Sequence, residues 1–150
     1  MSDDVFRNLF EEIYKGDKRA IQLSFDVLAY VHLWDDLIDR DKPVSDHTIN
    51  RTLLAGITRI SCSPLWDTGM AAIVESAYYR WHFANVVEKN VDSTDNDIAK
   101  AWIHRSSCYD VFVAIALRLY GHEWAEKASV LVYASYGETL LNFTNEVRNA

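Results

Sequence analysis

The sequence predicts an all-α fold. Over most of the 150-residue chain, apolar residues recur at the three- and four-residue spacings of helices. No stretch sustains the alternation of a strand, and only five Gly and two Pro interrupt the pattern. An apolar fraction of 49%, with five Trp and eight Tyr, supplies core material without staples. The length is that of one domain. The expectation is a single-domain bundle of about six helices around a central apolar helix at about 17–41.

Residues 4–15 read as a short amphipathic helix, with Val5, Leu9, Phe10 and Ile13 inward and Gly16 as its stop. Asp17 is placed to cap the next helix. That helix carries Leu23, Val27, Tyr30, Leu33, Trp34 and Leu37 on one half, and Ile21, Phe25 and Leu28 on the other. A helix apolar all round belongs among other helices. Ser45 starts a third helix over about 46–59, and residues 60–67, with Pro64, form an irregular connection. Asp67 or Thr68 caps a fourth helix over about 69–89. Thr94 or Asp95 caps a fifth that runs to Tyr120, where Gly121 stops it. The last helix is expected over about 122–147, with Gly137 as a point for a kink.

The central helix turns acidic at its end. Asp35, Asp36, Asp39 and Asp41 crowd its last turns before Pro43, where negative charge opposes the helix dipole. Such a crowd calls for a metal ion, a basic side chain or a proton. Asp35 and Asp39 are four apart, Asp36 and Asp39 three apart, and His32 precedes Asp36 by four, so these side chains share a surface. Hard cations such as Mg²⁺ take oxygen ligands of this kind and keep places for water or phosphate.

The string Asp35-Asp36-Leu37-Ile38-Asp39 resembles the DDxxD motif of class I isoprenoid synthases. In those all-helical enzymes the aspartates hold Mg²⁺ on a prenyl diphosphate. The resemblance covers these five residues. It implies Mg²⁺ as cofactor, Asp35, Asp36 and Asp39 as its ligands, and a diphosphate-containing small molecule as partner. Arg80 is the first candidate to hold the phosphate or to act as counter-ion, with Arg105 the second. Glu138, Asn142 and Glu146 recur every four residues and form a weaker metal-facing set. Glu75, four before Tyr79, is placed to face the acids. Asp110 opens a strongly apolar run and must be paired, hydrogen-bonded or protonated. A second expectation stands beside the first: a non-catalytic helical interaction or oligomerisation protein, such as a homodimer, whose acids are neutralised by basic side chains.

Composition narrows the classes. A formal charge of −7 argues against non-specific nucleic-acid binding. Cys62 and Cys108 match no zinc or redox spacing and read as buried free thiols; His104, four before Cys108, lacks the further soft ligands of a metal site. No apolar run is long enough for a membrane span, and the acidic start is unlike a signal peptide, so a cytoplasmic protein is expected. There is no Gly-rich phosphate loop, GxSxG elbow or HExxH.

Overall fold

Helix caps written into the sequence set most of the boundaries. The computed structural model describes residues 3–40 and 42–149. The elements are α1 (Asp3–Ile13), α2 (Lys18–Asp39), α3 (Asp46–Ala55), α4 (Thr68–Glu88), α5 (Asp95–Arg105), α6 (Asp110–Tyr120), α7 (His122–Ala134) and α8 (Leu140–Asn149). Among the described residues there is no strand, and no helix is long and apolar enough to cross a membrane. The Asp17 carboxylate accepts the N–H groups of Arg19 and Ala20 at the start of α2. Ser45 and Asp67 do the same for α3 and α4. Thr94 and Asp97 form a reciprocal capping box on α5.

The core centres on α1 and α6 as much as on α2. Phe10 of α1 sits 5.1 Å from Phe25 and 4.9 Å from Phe112, ring centre to ring centre. Phe10, Tyr14 and Phe112 are among the largest fully buried side chains. The Tyr14 hydroxyl donates to the Phe112 carbonyl at 3.2 Å and accepts from Ser24 Oγ at 2.7 Å, so its polar atom is satisfied inside. The carbonyls at the end of α1 are closed by side chains: Trp124 Nε1 donates to Ile13 O at 2.8 Å, and Tyr120 Oη to Tyr14 O at 2.5 Å. A smaller cluster of Ala84, Val87, Ile98, Ala101 and Phe143 joins α4, α5 and α8.

Several boundaries differ from the sequence expectation. The central helix is buried mainly between Ala20 and Leu28; Trp34, Leu37 and Ile38 are about half exposed, because the bundle covers only part of its last turns. It ends at Asp39, where Arg40 enters the left-handed region at φ 56° and returns its N–H to Asp36 O. Asp41 lies outside the described residues. The third helix continues as a π-helical turn, Gly56–Ile60. The expected fifth helix breaks at a 3₁₀ turn, Ser106–Tyr109, where Ser107 Oγ bonds Ala77 O at 3.0 Å. The expected last helix breaks between Ala134 and Leu140, a full interruption where only a kink was expected.

Candidate functional site

The acidic end of α2 touches α4 through Trp81, with Lys42 on Asp36 and the Arg105 charge near Asp35. Lys42 Nζ lies 2.6 Å from Asp36 Oδ1. Asp35 Oδ1 accepts the Trp81 indole N–H at 3.1 Å. Arg105, arriving from the end of α5, bonds Glu88 on α4 and stands 4.0 Å from Glu138. Burial pushes the Asp35 carboxyl above its usual range; the Arg105 charge offsets this in part and the Asp39 charge adds to it. Glu88 is raised for the same first reason, again offset by Arg105, with Asp39 and Glu146 adding to the rise. The face of α4 that carries Trp81 and Glu88 also carries Asn85, whose buried Oδ1 has no hydrogen-bond partner. Among the described residues, no group of three or more His, Cys, Asp or Glu side chains is placed to hold a metal ion. The convergence expected of Asp35, Asp36 and Asp39 is therefore not seen there.

The other expected residues are scattered over the molecule. Arg80 does not reach the acids of α2. Its Nη1 bonds Asp110 Oδ2 at 2.7 Å and its Nη2 bonds Ser76 Oγ at 3.3 Å. Asp110 also accepts the Tyr133 hydroxyl, so the pairing demanded of a carboxylate in an apolar run is met twice. Arg105 pairs with Glu88 and Glu138 and acts on the acids of α2 through its charge at Asp35. Glu75 faces away from α2 and lines a groove on the outer side of α4 with Tyr79 and Phe83. His32 is exposed and borders a cleft with Asp26 and Arg59. The set Glu138, Asn142 and Glu146 is not one stripe: Glu138 lies in the link before α8, where its carboxylate accepts the Tyr136 hydroxyl at 2.8 Å. Cys62 is exposed, contrary to the expectation of a buried thiol. Burial pushes the Cys108 thiol up to about 12, so it is no thiolate nucleophile near neutral pH.

Two features were missed in the sequence. Asp26, buried in the middle of α2, receives a two-pronged Arg59 guanidinium, with Nε to Oδ2 at 2.9 Å and Nη2 to Oδ1 at 2.6 Å. The signal was a carboxylate inside a helix apolar all round, which must find a cation. The second is an apolar crevice of about 80 Å³ between α2, α4 and α6, walled by Tyr30, Trp34, Tyr78 and Trp81. Aromatic spacings of four on α2 and three on α4 announced its walls. No protein-family model, curated protein or solved structure matches this chain.

Proposed function

We propose that this protein is a non-catalytic helical module that acts by pairing with a second copy through the outer face of α4. The observation that carries the reading is an exposed, largely apolar stripe, bordered within the chain by His104, whose ring lies 5.4 Å from Phe83. Ala72, Ser76, Tyr79, Phe83 and Val86 recur at alternating spacings of four and three, and all are exposed. Tyr79 is 62% exposed, Phe83 41% and Val86 54%. That spacing is the a/d seam of a coiled coil, laid on the solvent side of a helix whose other faces are already packed.

The stripe fits itself in one orientation. In an antiparallel pair about a two-fold axis, Ala72 stands opposite Phe83 and Ser76 opposite Tyr79, small against large in each layer. Glu75 then flanks His82 of the second copy, an acid beside a base. A parallel pair sets Phe83 on Phe83 and Ala72 on Ala72, large on large and small on small. The acids of α2 favour a structural role in this reading, since Lys42 on Asp36 holds a place a Mg²⁺–diphosphate complex would compete for.

Sedimentation equilibrium tests the proposal. The wild type sediments as a dimer, and Tyr79→Glu sediments as a monomer with an unchanged helical circular-dichroism spectrum. A wild type that stays monomeric at every concentration removes the proposal, and so does a Tyr79→Glu dimer of equal strength.

A further inference from the structure

We infer that the crevice between α2, α4 and α6 is a binding site for a fully alkylated ammonium group. The inference is independent of self-association, because the crevice opens beside α2 and not on the outer face of α4.

The space, the walls and the field each point to that chemistry. The crevice volume is about 80 Å³, room for a branched group of about five heavy atoms. Its floor is Val27, Val31, Val74 and Val111, and no charged side chain lines it. Four rings run along its wall. Tyr30 and Trp34 lie 6.1 Å apart at 67°, Trp34 and Tyr78 5.1 Å apart at 42°, and Tyr78 and Trp81 6.3 Å apart at 38°. Each ring is tilted from the next. Trp34 keeps 41% of its surface in solvent, so the wall is open there.

Carboxylates stand just outside the walls. Asp35 is held on the indole N–H of Trp81, which draws negative charge toward that ring's side of the crevice. Cys108, also on the lining, has its thiol pushed up by the charges of both Asp110 and Asp35 after burial itself. Arg80 pairs with Asp110, and Arg105 bonds Glu88 while its charge also reaches Asp35, so the carboxylate that carries the field is Asp35, with Asp39 near it. Aromatic faces in a negative field attract a cation. An ammonium bearing N–H groups would find its donors without acceptors against valine and alanine, which is costly. A nitrogen carrying only alkyl groups spreads its charge over carbon and asks for no hydrogen bond.

The test titrates the full-length protein with choline and with its neutral carbon isostere, 3,3-dimethylbutan-1-ol, following the indole signals of Trp34 and Trp81 by NMR. Choline shifts both signals saturably and binds about tenfold more tightly than the alcohol. Asp35→Asn keeps an acceptor for Trp81 and weakens choline about threefold or more, with the alcohol unchanged. A phosphocholine vesicle and a trimethyllysine peptide are titrated beside free choline. Any of the three binding more tightly than the alcohol supports the site, and their rank names the source of the head group. If the alcohol binds as tightly as every one of the three, the crevice is only a greasy gap and the inference fails. It fails equally if no probe produces a saturable change.

Discussion

At Arg105 one guanidinium answers for several carboxylates. About a fifth of its side chain meets solvent, and the same is true of its closest partner, Glu88. The charges of Glu88, Asp35 and Glu138 all act to hold it protonated. Removing it would leave half-buried acids facing one another, and that loss exceeds the value of the pair itself. Arg105→Met is therefore expected to cost about 3 kcal/mol at neutral pH, read as a lower urea midpoint with an unchanged slope. The need for such a cation was legible in the sequence, because a row of aspartates at a helix C-terminus cannot stand alone. Which arginine would supply it was not. Arg80 and Arg105 both lie on helices beyond α2, and only the three-dimensional path of the chain decides that Arg80 is taken by Asp110. Asp110 carried the clearer signal: a lone carboxylate opening an apolar run predicted its own pairing, and the pairing is there.

Helix ends with local chemistry were read well, and interruptions set by tertiary contacts were not. Asp17, Ser45, Asp67 and Thr94 all cap as their side chains dictate. The 3₁₀ turn at Ser106–Tyr109 has no Gly or Pro to announce it; it is stabilised by Ser107 on the Ala77 carbonyl and by the burial of Tyr109 among Phe6, Phe112 and Tyr136. The π-helical turn at Gly56 likewise depends on a neighbour, since a Cβ there would stand 3.1 Å from the Tyr30 ring. Gly121 is the opposite case. It stops α6 at φ +79° and ψ −179°, a conformation open to glycine and almost nothing else, and a Cβ there would meet nothing within 4 Å. Its role is thus purely one of backbone conformation. Gly121→Ala is expected to lower stability by about 1–3 kcal/mol with no change in side-chain packing. Thermal unfolding together with an unaltered near-ultraviolet circular-dichroism spectrum checks both halves.

Across the whole molecule, carboxylates pull the pH dependence of stability in two directions. Asp17 and Asp67 are held down to about 2, each first by its arginine, Arg19 or Arg118. A lowered folded value means the unfolded chain takes protons first. Their contribution is whole above the ordinary carboxylate range and is lost as pH falls toward 2. Asp35 and Glu88 are raised, chiefly by burial. In their case the folded chain holds protons longer. Their contribution is whole below the ordinary carboxylate range and is lost as pH rises through their raised values. His32 is lowered by burial, so it withdraws stability as pH falls below the usual histidine value; its exposure keeps that contribution small beside the two half-buried acids. Stability should therefore climb as pH rises from about 2 through the ordinary carboxylate range and then lose part of that gain, a decline that Asp35 and Glu88 cause. Asp35→Asn removes one of the two groups responsible for the decline while keeping an acceptor for Trp81. Urea midpoints measured across this range should be higher for the variant than for the wild type at pH 7, and equal or lower below pH 4. A wild-type curve that keeps rising to neutrality, with Asp35→Asn running parallel beneath it, would mean that the desolvation of Asp35 is fully relieved by Arg105.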